Sequence, residues 1–231
     1  MSNDSVHYEL HDSIAIIRLD DGKANAVNHA SIKGLTAGLA RASQEAKAVI
    51  LTGRPGRFSA GFDLSVLNSG PDAARALVTA GAEMLLKIFT HPQPVIAAST
   101  GHSIAAGAFM LLAADTRLGT EGDFKIGLNE VAIGMTLPEF GMMFARERLS
   151  KRHFTNAAIQ ARLYNPTDAV DVGFLDRVCS ADTLLEEALT EARQLAKLDL
   201  PSYARTKERA RGALAEQVRR DLEEDLAQLM A

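Results

Sequence analysis

Three short stretches carry residue types suited to chemistry. In Gly127-Leu-Asn-Glu130 a lone carboxylate stands between Ile126-Gly-Leu128 and Val131-Ala-Ile133, a run that reads as buried. A carboxylate in such surroundings is costly to ionise, which raises its pKa by roughly 1 to 5 units and suits it to carrying protons near neutral pH. A plain structural explanation stands beside that one: a loop apex, or pairing with an arginine such as Arg146.

The second stretch is Phe58-Ser-Ala-Gly-Phe-Asp-Leu64, just after an apolar segment ending at Thr52-Gly53. Gly61 can turn the chain so that amide N–H groups point into a cavity, as an oxyanion site requires, although a tight turn without function has the same composition. The third, Gly101-His-Ser-Ile-Ala-Ala-Gly-Ala-Phe109, admits two readings. Gly101 to Ala105 approximates the nucleophile elbow of serine hydrolases, with alanine at the last glycine position. Only His153 follows as a candidate base, and the strands expected between nucleophile and histidine do not fit the space, which disfavours a hydrolase. In the other reading Ala105-Ala-Gly-Ala108 opens a helix whose free N–H groups stabilise a developing negative oxygen. Close helix packing favours the same small residues.

These stretches need elements to hold them. Val6, Tyr8 and Leu10 alternate with polar residues before a turn at His11-Asp-Ser and an apolar run over Ile14 to Leu19, which predicts a hairpin. Helical spacing of Ile32, Leu35, Leu39 and Ala42 predicts a helix over 28–46, and the run from Ala48 to Gly53 a buried strand. The alternation continues with a helix over 72–89, a strand over 95–99, a helix over 105–114 and a strand over 116–119. Such alternation predicts an α/β fold with partly parallel sheet. After Pro138 the chain reads as mainly helical, with one strand candidate at Leu175 to Cys179 and two amphipathic helices from Asp182, broken at Asp199-Leu-Pro201. Leu214, Val218, Leu222, Leu226 and Leu229 form an apolar stripe on the last, to pack on the core or on another subunit.

Composition narrows the function classes. With 231 residues, 47% of them hydrophobic, the chain can bury a sizeable core. Its 29 acidic and 25 basic residues are scattered, so there is no electrostatic footprint for nucleic acid or anionic lipid. Cys179 is the sole cysteine, which excludes an internal disulfide and any cysteine-rich metal site. No apolar run approaches the roughly 18 residues of a membrane span, and the N-terminal residues lack a signal-peptide pattern; a cytoplasmic protein is expected.

In this order and spacing, the three stretches resemble the crotonase superfamily, the enoyl-CoA hydratase/isomerase group, over nearly the whole chain. Val49-Ile-Leu-Thr-Gly53 with Phe58 to Leu64 looks like that family's first oxyanion loop, and Pro94-Val-Ile-Ala-Ala98 through Gly101 to Asp115 like its second. Asn25-Ala26 and Ala169-Val-Asp-Val-Gly-Phe-Leu-Asp176 fall where the family has similar phrases. The resemblance implies a spiral of repeated ββα units over 1–180 and C-terminal helices over 181–231 that serve packing and oligomerisation, in a homotrimer or dimer of trimers.

It also implies an acyl-CoA thioester substrate, no cofactor beyond that CoA, and no metal. The backbone N–H groups of Phe62 and Ala106 would hold the thioester carbonyl, and Ala24, Ala60, Gly61, Asp63 and Leu64 would line the CoA. Two departures matter. Ala105-Ala106-Gly107 replaces consecutive glycines, and Phe109 stands where hydratases of the family carry the first of two catalytic glutamates. Glu130 aligns with the second, a phrasing similar to the Δ3,Δ2-enoyl-CoA isomerases. One carboxylate suits double-bond migration better than water addition, which asks for a second group to orient and deprotonate water. Enoyl-CoA hydration is the alternative, and non-catalytic acyl-CoA binding the more distant one. Phe62, Phe109, Met110, Met135, Phe140 and Met142 are candidates for an apolar pocket.

Overall fold

The computed structural model describes residues 5–229. It opens with an antiparallel hairpin, β1 (Val6–His11) and β2 (Ile14–Leu19), and a short β3 (Ala26–Val27). α1 (His29–Glu45) starts at a reciprocal cap: the Asn28 side chain accepts from the Ala30 and Ser31 N–H groups, and the Ser31 hydroxyl accepts from the Asn28 N–H. Next come β4 (Ala48–Thr52), β5 (Gly56–Ser59), β6 (Gly61–Phe62), the single turn α2 (Leu64–Leu67) and α3 (Pro71–Phe89). The second unit is β7 (Val95–Ser99), β8 (Gly101–Ile104) and α4 (Ala106–Ala113), and the third begins with β9 (Thr116–Thr120) and β10 (Ile126–Gly127). After a 3-10 turn at Val131–Ile133 come α5 (Glu139–Arg148), a π-helical turn at Thr155–Ile159, α6 (Pro166–Val172), β11 (Arg177–Cys179), α7 (Leu184–Leu195) and α8 (Leu200–Leu229).

The large sheet has the order β1-β2-β4-β7-β9-β11 and is parallel except for β1. Every residue of β4 and β7 is buried, because helices cover both faces. Val49, Leu51, Val95 and Ala97 pack in one cluster with α1, α3 and α4; their neighbours Ala48, Ile50, Ile96 and Ala98 pack in the other, beneath Leu184, Ala188 and Ala192 of α7. A smaller parallel sheet, β10-β8-β5, and the β3-β6 ribbon stand beside it. Repetition of strand, strand and helix gives the expected α/β spiral.

The predicted elements match within a residue or two over α1, β4, α3, β7, α4 and β9. Two corrections arise. β11 begins at Arg177, not Leu175, because Phe174 and Leu175 are core residues of the turn that follows α6. Leu10, which alternates with polar residues as Val6 and Tyr8 do, is exposed at the end of β1 where those two are half-buried. α8 begins at Leu200 with Pro201 in its first turn, the one place where a proline's missing N–H costs nothing. Val218, Leu222 and Leu226 are buried, and α8 lies against α3 and α5; the Leu229 side chain lies outside the described residues. Among the described residues no helix is long and apolar enough to cross a membrane.

Candidate active site

The two glycine-containing loops meet. β3 and β6 pair Ala26 with Gly61 and Val27 with Phe62, and the Ala60 N–H donates to the Ala24 carbonyl at 3.1 Å. Gly61, at φ +96°, lies so near the start of α4 that a Cβ there would stand 2.9 Å from the Ala105 Cβ and 3.5 Å from the Ala106 N. Gly61 and the start of α4 are thus neighbours across a narrow gap, with Phe62 the next residue after that glycine. Their nearness depends on Ser59, whose hydroxyl donates to the Asn25 carbonyl at 2.8 Å and accepts from the Gly61 N–H at 3.2 Å. The first turn of α4 presses on the Ser59 carbonyl, and a Cβ at Gly107 would come within 2.5 Å of it.

α4 starts without a side-chain cap. Its first intrahelical bond runs from the Phe109 N–H to the Ala105 carbonyl, so the N–H groups of Ala106, Gly107 and Ala108 lie in the uncapped first turn, at the positive end of the helix dipole. Ala105 itself adopts φ +51°, ψ −118°, a conformation that a side chain strains.

Glu130 enters from the third unit. β10 pairs with β8 and the Ala105 N–H donates to the Gly127 carbonyl at 3.0 Å, which ties the glutamate's loop to the start of α4. The Glu130 carbonyl then accepts from the Ile133 and Met135 N–H groups, closing the 3-10 turn. The side chain is 6% exposed, and its Oε2 has no hydrogen-bond partner among the described residues. Burial pushes its pKa up to about 7. Arg146 is not its partner; it pairs with Glu139 at the surface. One expectation from the sequence fails in part here: Val131 and Ile133 are 48% and 49% exposed, and only Ile133 shares a cavity wall with the acid.

Burial comes instead from a cavity with two lobes that share Phe62, Glu130 and Met135. The larger, of about 200 Å³, is bounded by Val78, Phe109, Phe140 and Leu226; the smaller, of about 100 Å³, by Ala60, Leu64, Ala105 and Asn129. Phe109 and Glu130 therefore border one space. The Phe109 ring meets the Phe140 ring edge-on at 5.7 Å and lies against Gly141, where a Cβ would come within 2.7 Å. Met110 belongs to the core, Met142 packs half-buried against it, and neither borders the cavity. Asp63 has a local role as well. It caps α2 by accepting from the Ser65 N–H and hydroxyl, bonds that hold its carboxyl below the usual carboxylate range.

A hydrolase finds no support. The Ser103 hydroxyl is buried in β8 and shares a 2.8 Å hydrogen bond with Ser99, while His153 sits beside Arg152. Sequence reasoning overlooked the scaffold role of Asn25. Fully buried at φ +55°, it directs its amide group to the carbonyls of Leu19, Arg57 and Phe58 at 2.7 to 3.2 Å, joining the Ala24 and Ala60 loops. The Asn25-Ala26 phrase was the available signal. Val78 had none, and Leu226 had only its place in the apolar stripe of the last helix.

The enoyl-CoA hydratase/isomerase family profile matches residues 9–230. An enoyl-CoA hydratase/isomerase family protein from Pseudomonas syringae is 40% identical and superposes with a TM-score of 0.96, covering 98% of this chain and 99% of that one. An Mtb enoyl-CoA isomerase in its apo form is 34% identical, with a TM-score of 0.92 over 98% of this chain and 99% of its own. Enoyl-CoA delta isomerase 1, mitochondrial, from Mus musculus is 26% identical over 92% of this chain and 75% of its own length. The chain spans 26% to 65% of the length of the first curated relatives it matches.

Proposed function

Because the chain belongs to the enoyl-CoA hydratase/isomerase family, we propose that it moves a double bond within an enoyl-CoA, converting a 3-enoyl thioester to the 2-enoyl isomer with Glu130 as the single proton carrier. The observation that carries this reading is the pairing across the cavity: a buried carboxylate with its pKa raised to about 7 borders the same lobe as Phe109, with no second carboxylate on that lobe among the described residues. Ionised Glu130 takes a proton from C2. The C–H electron pair moves toward the thioester carbonyl, and the dienolate oxygen is held by the N–H groups of Phe62 and Ala106. Glu130 then returns the proton at C4.

Removing one oxyanion donor in an enzyme typically costs about 2.7 to 4 kcal/mol, so two converging donors stabilise the dienolate substantially. The thioester acidifies C2 by itself, and the step asks for no metal or redox group. Ala24, Ala60, Gly61, Asp63 and Leu64 are proposed to flank the CoA arm, Asp63 through the turn it caps. The rival within the family is hydration of a 2-enoyl-CoA. Names of both kinds occur among the relatives, but the aromatic wall around Glu130 disfavours a positioned water.

The test is to assay 3-hexenoyl-CoA isomerisation beside crotonyl-CoA hydration, with the parent and Glu130→Gln. Isomerisation should dominate in the parent and fall on the order of 10² or more in the variant. Turnover confined to hydration, or a variant as active as the parent, would sink the assignment.

A further inference from the structure

The wall of the larger lobe includes a residue from the far end of the chain. Leu226, 1% exposed near the end of α8, borders the cavity together with Phe140 of α5, Val78 of α3 and the catalytic candidate Glu130. It is not a side chain hanging loosely into space. Val218 and Leu222, two turns and one turn earlier on the same stripe, are buried where α8 lies against α3 and α5, so packing fixes the position of Leu226. Phe140 is fixed in turn by its edge contact with Phe109.

The lobe measures about 200 Å³. An apolar cavity of about 150 Å³ takes a benzene, so space of this size takes roughly eight carbons. Its lining is apolar apart from Glu130 and Thr136, and its exposed rim is at Gly134 and Thr136. An alkyl chain extending from a carbon next to Glu130 is enclosed until it reaches Leu226 and Phe140. Further methylenes have only the rim through which to leave.

We propose that Leu226, with Phe140, is the chain-length gauge of this protein, and that its substrates are acyl-CoA thioesters of up to about eight acyl carbons. This rests on the acyl-CoA reading of the cavity given above. Each methylene enclosed adds about fourfold to affinity. One pushed out at Gly134 and Thr136 adds nothing.

Calorimetric titration of the full chain with saturated acyl-CoAs from butanoyl to dodecanoyl reads the gauge without needing turnover. Affinity should climb about fourfold per methylene as far as octanoyl-CoA and then stop climbing. Leu226→Ala removes three carbons from the wall and should carry the climb at least two carbons further; Leu226→Phe adds three and should stop it at about hexanoyl-CoA. Phe140→Leu should lengthen the limit as well, and serves where Leu226→Ala fails to fold. Affinity that keeps rising through dodecanoyl-CoA in the parent, or a limit unmoved by both Leu226→Phe and Phe140→Leu, overturns the gauge. A limit that moves as predicted in a protein that isomerises no 3-enoyl-CoA supports the gauge and removes the isomerase. Absence of binding at every length overturns both.

Discussion

Glu130, the proposed proton carrier, has a stability cost that can be measured. Its unfolded value is near 4.5 and its folded value about 7. Between those values the folded chain holds a proton that the unfolded chain has lost, so stability declines as pH rises through that window and stays lower above it. A carboxyl whose pKa rises that far on folding costs about 2 to 4 kcal/mol once it is ionised. Glu130→Gln should therefore be more stable than the parent by about that amount at pH 8 and nearly equal to it at pH 4, as chemical denaturation at the two pH values would reveal. The parent's kcat/KM should rise with pH through about 7, because only the ionised carboxylate accepts a proton; a profile flat from pH 5 to 9 contradicts a proton-accepting Glu130. The lone acid was legible in the sequence, and so were Phe62, Phe109, Met135 and Phe140 as apolar residues of its pocket, whereas Val78 and Leu226 were not. Val131 and Ile133 are half exposed, and the enclosing residues Phe109, Phe140 and Leu226 come from three helices that no local pattern connects.

At the scale of the element, the start of α4 concentrates the constraints. Ala105 sits in a conformation that strains a Cβ, a cost of roughly 1 to 3 kcal/mol, against which glycine loses about 0.4 to 1 kcal/mol through the unfolded chain. Ala105→Gly should thus gain about 1 kcal/mol in denaturant melts, whereas a β-branched Ala105→Val should lose stability and activity together. Gly107→Ala tests the neighbouring contact. Its methyl would meet the Ser59 carbonyl, so α4 must back away from the Gly61 turn, and turnover should drop at least tenfold with the far-ultraviolet dichroism unchanged. Large-sheet strands such as β4 and β7 were readable because strands covered on both faces are continuous apolar runs. The small sheet was not: Gly-Arg-Phe-Ser and Gly-His-Ser-Ile are polar and glycine-rich, and only their neighbours make them strands. Those unforeseen strands are what bring Gly61, Ala105 and Glu130 together.

Across the whole molecule, a buried charge cluster holds the gauge helix in place. Asp115, just past the end of α4, accepts from Lys207 at 2.6 Å and Arg211 at 2.8 Å, both on α8, and from the Val95 N–H at the start of β7. Lys207 also donates to the His91 and Gln93 carbonyls, and Arg211 to that of Phe89. Burial draws the Lys207 ammonium down to about 8 despite the carboxylate beside it, so this pair contributes little net stability over an apolar equivalent. Breaking it is different, because the cations stay buried. Asp115→Asn should cost about 3 to 5 kcal/mol, since the residual amide cannot balance Lys207 and Arg211. The loss should not be uniform. α8 carries both cations and also Leu226, so its amides should be the first to lose hydrogen-exchange protection, ahead of β4 and β7 at the centre of the large sheet. Loosening α8 opens the acyl lobe before the sheet unfolds, so the variant's affinity should go on rising past octanoyl-CoA, where the parent's stops, at temperatures where its dichroism is still native. Protection lost evenly across α8 and the sheet would instead make Asp115 a support of the global fold, with no particular hold on the gauge helix.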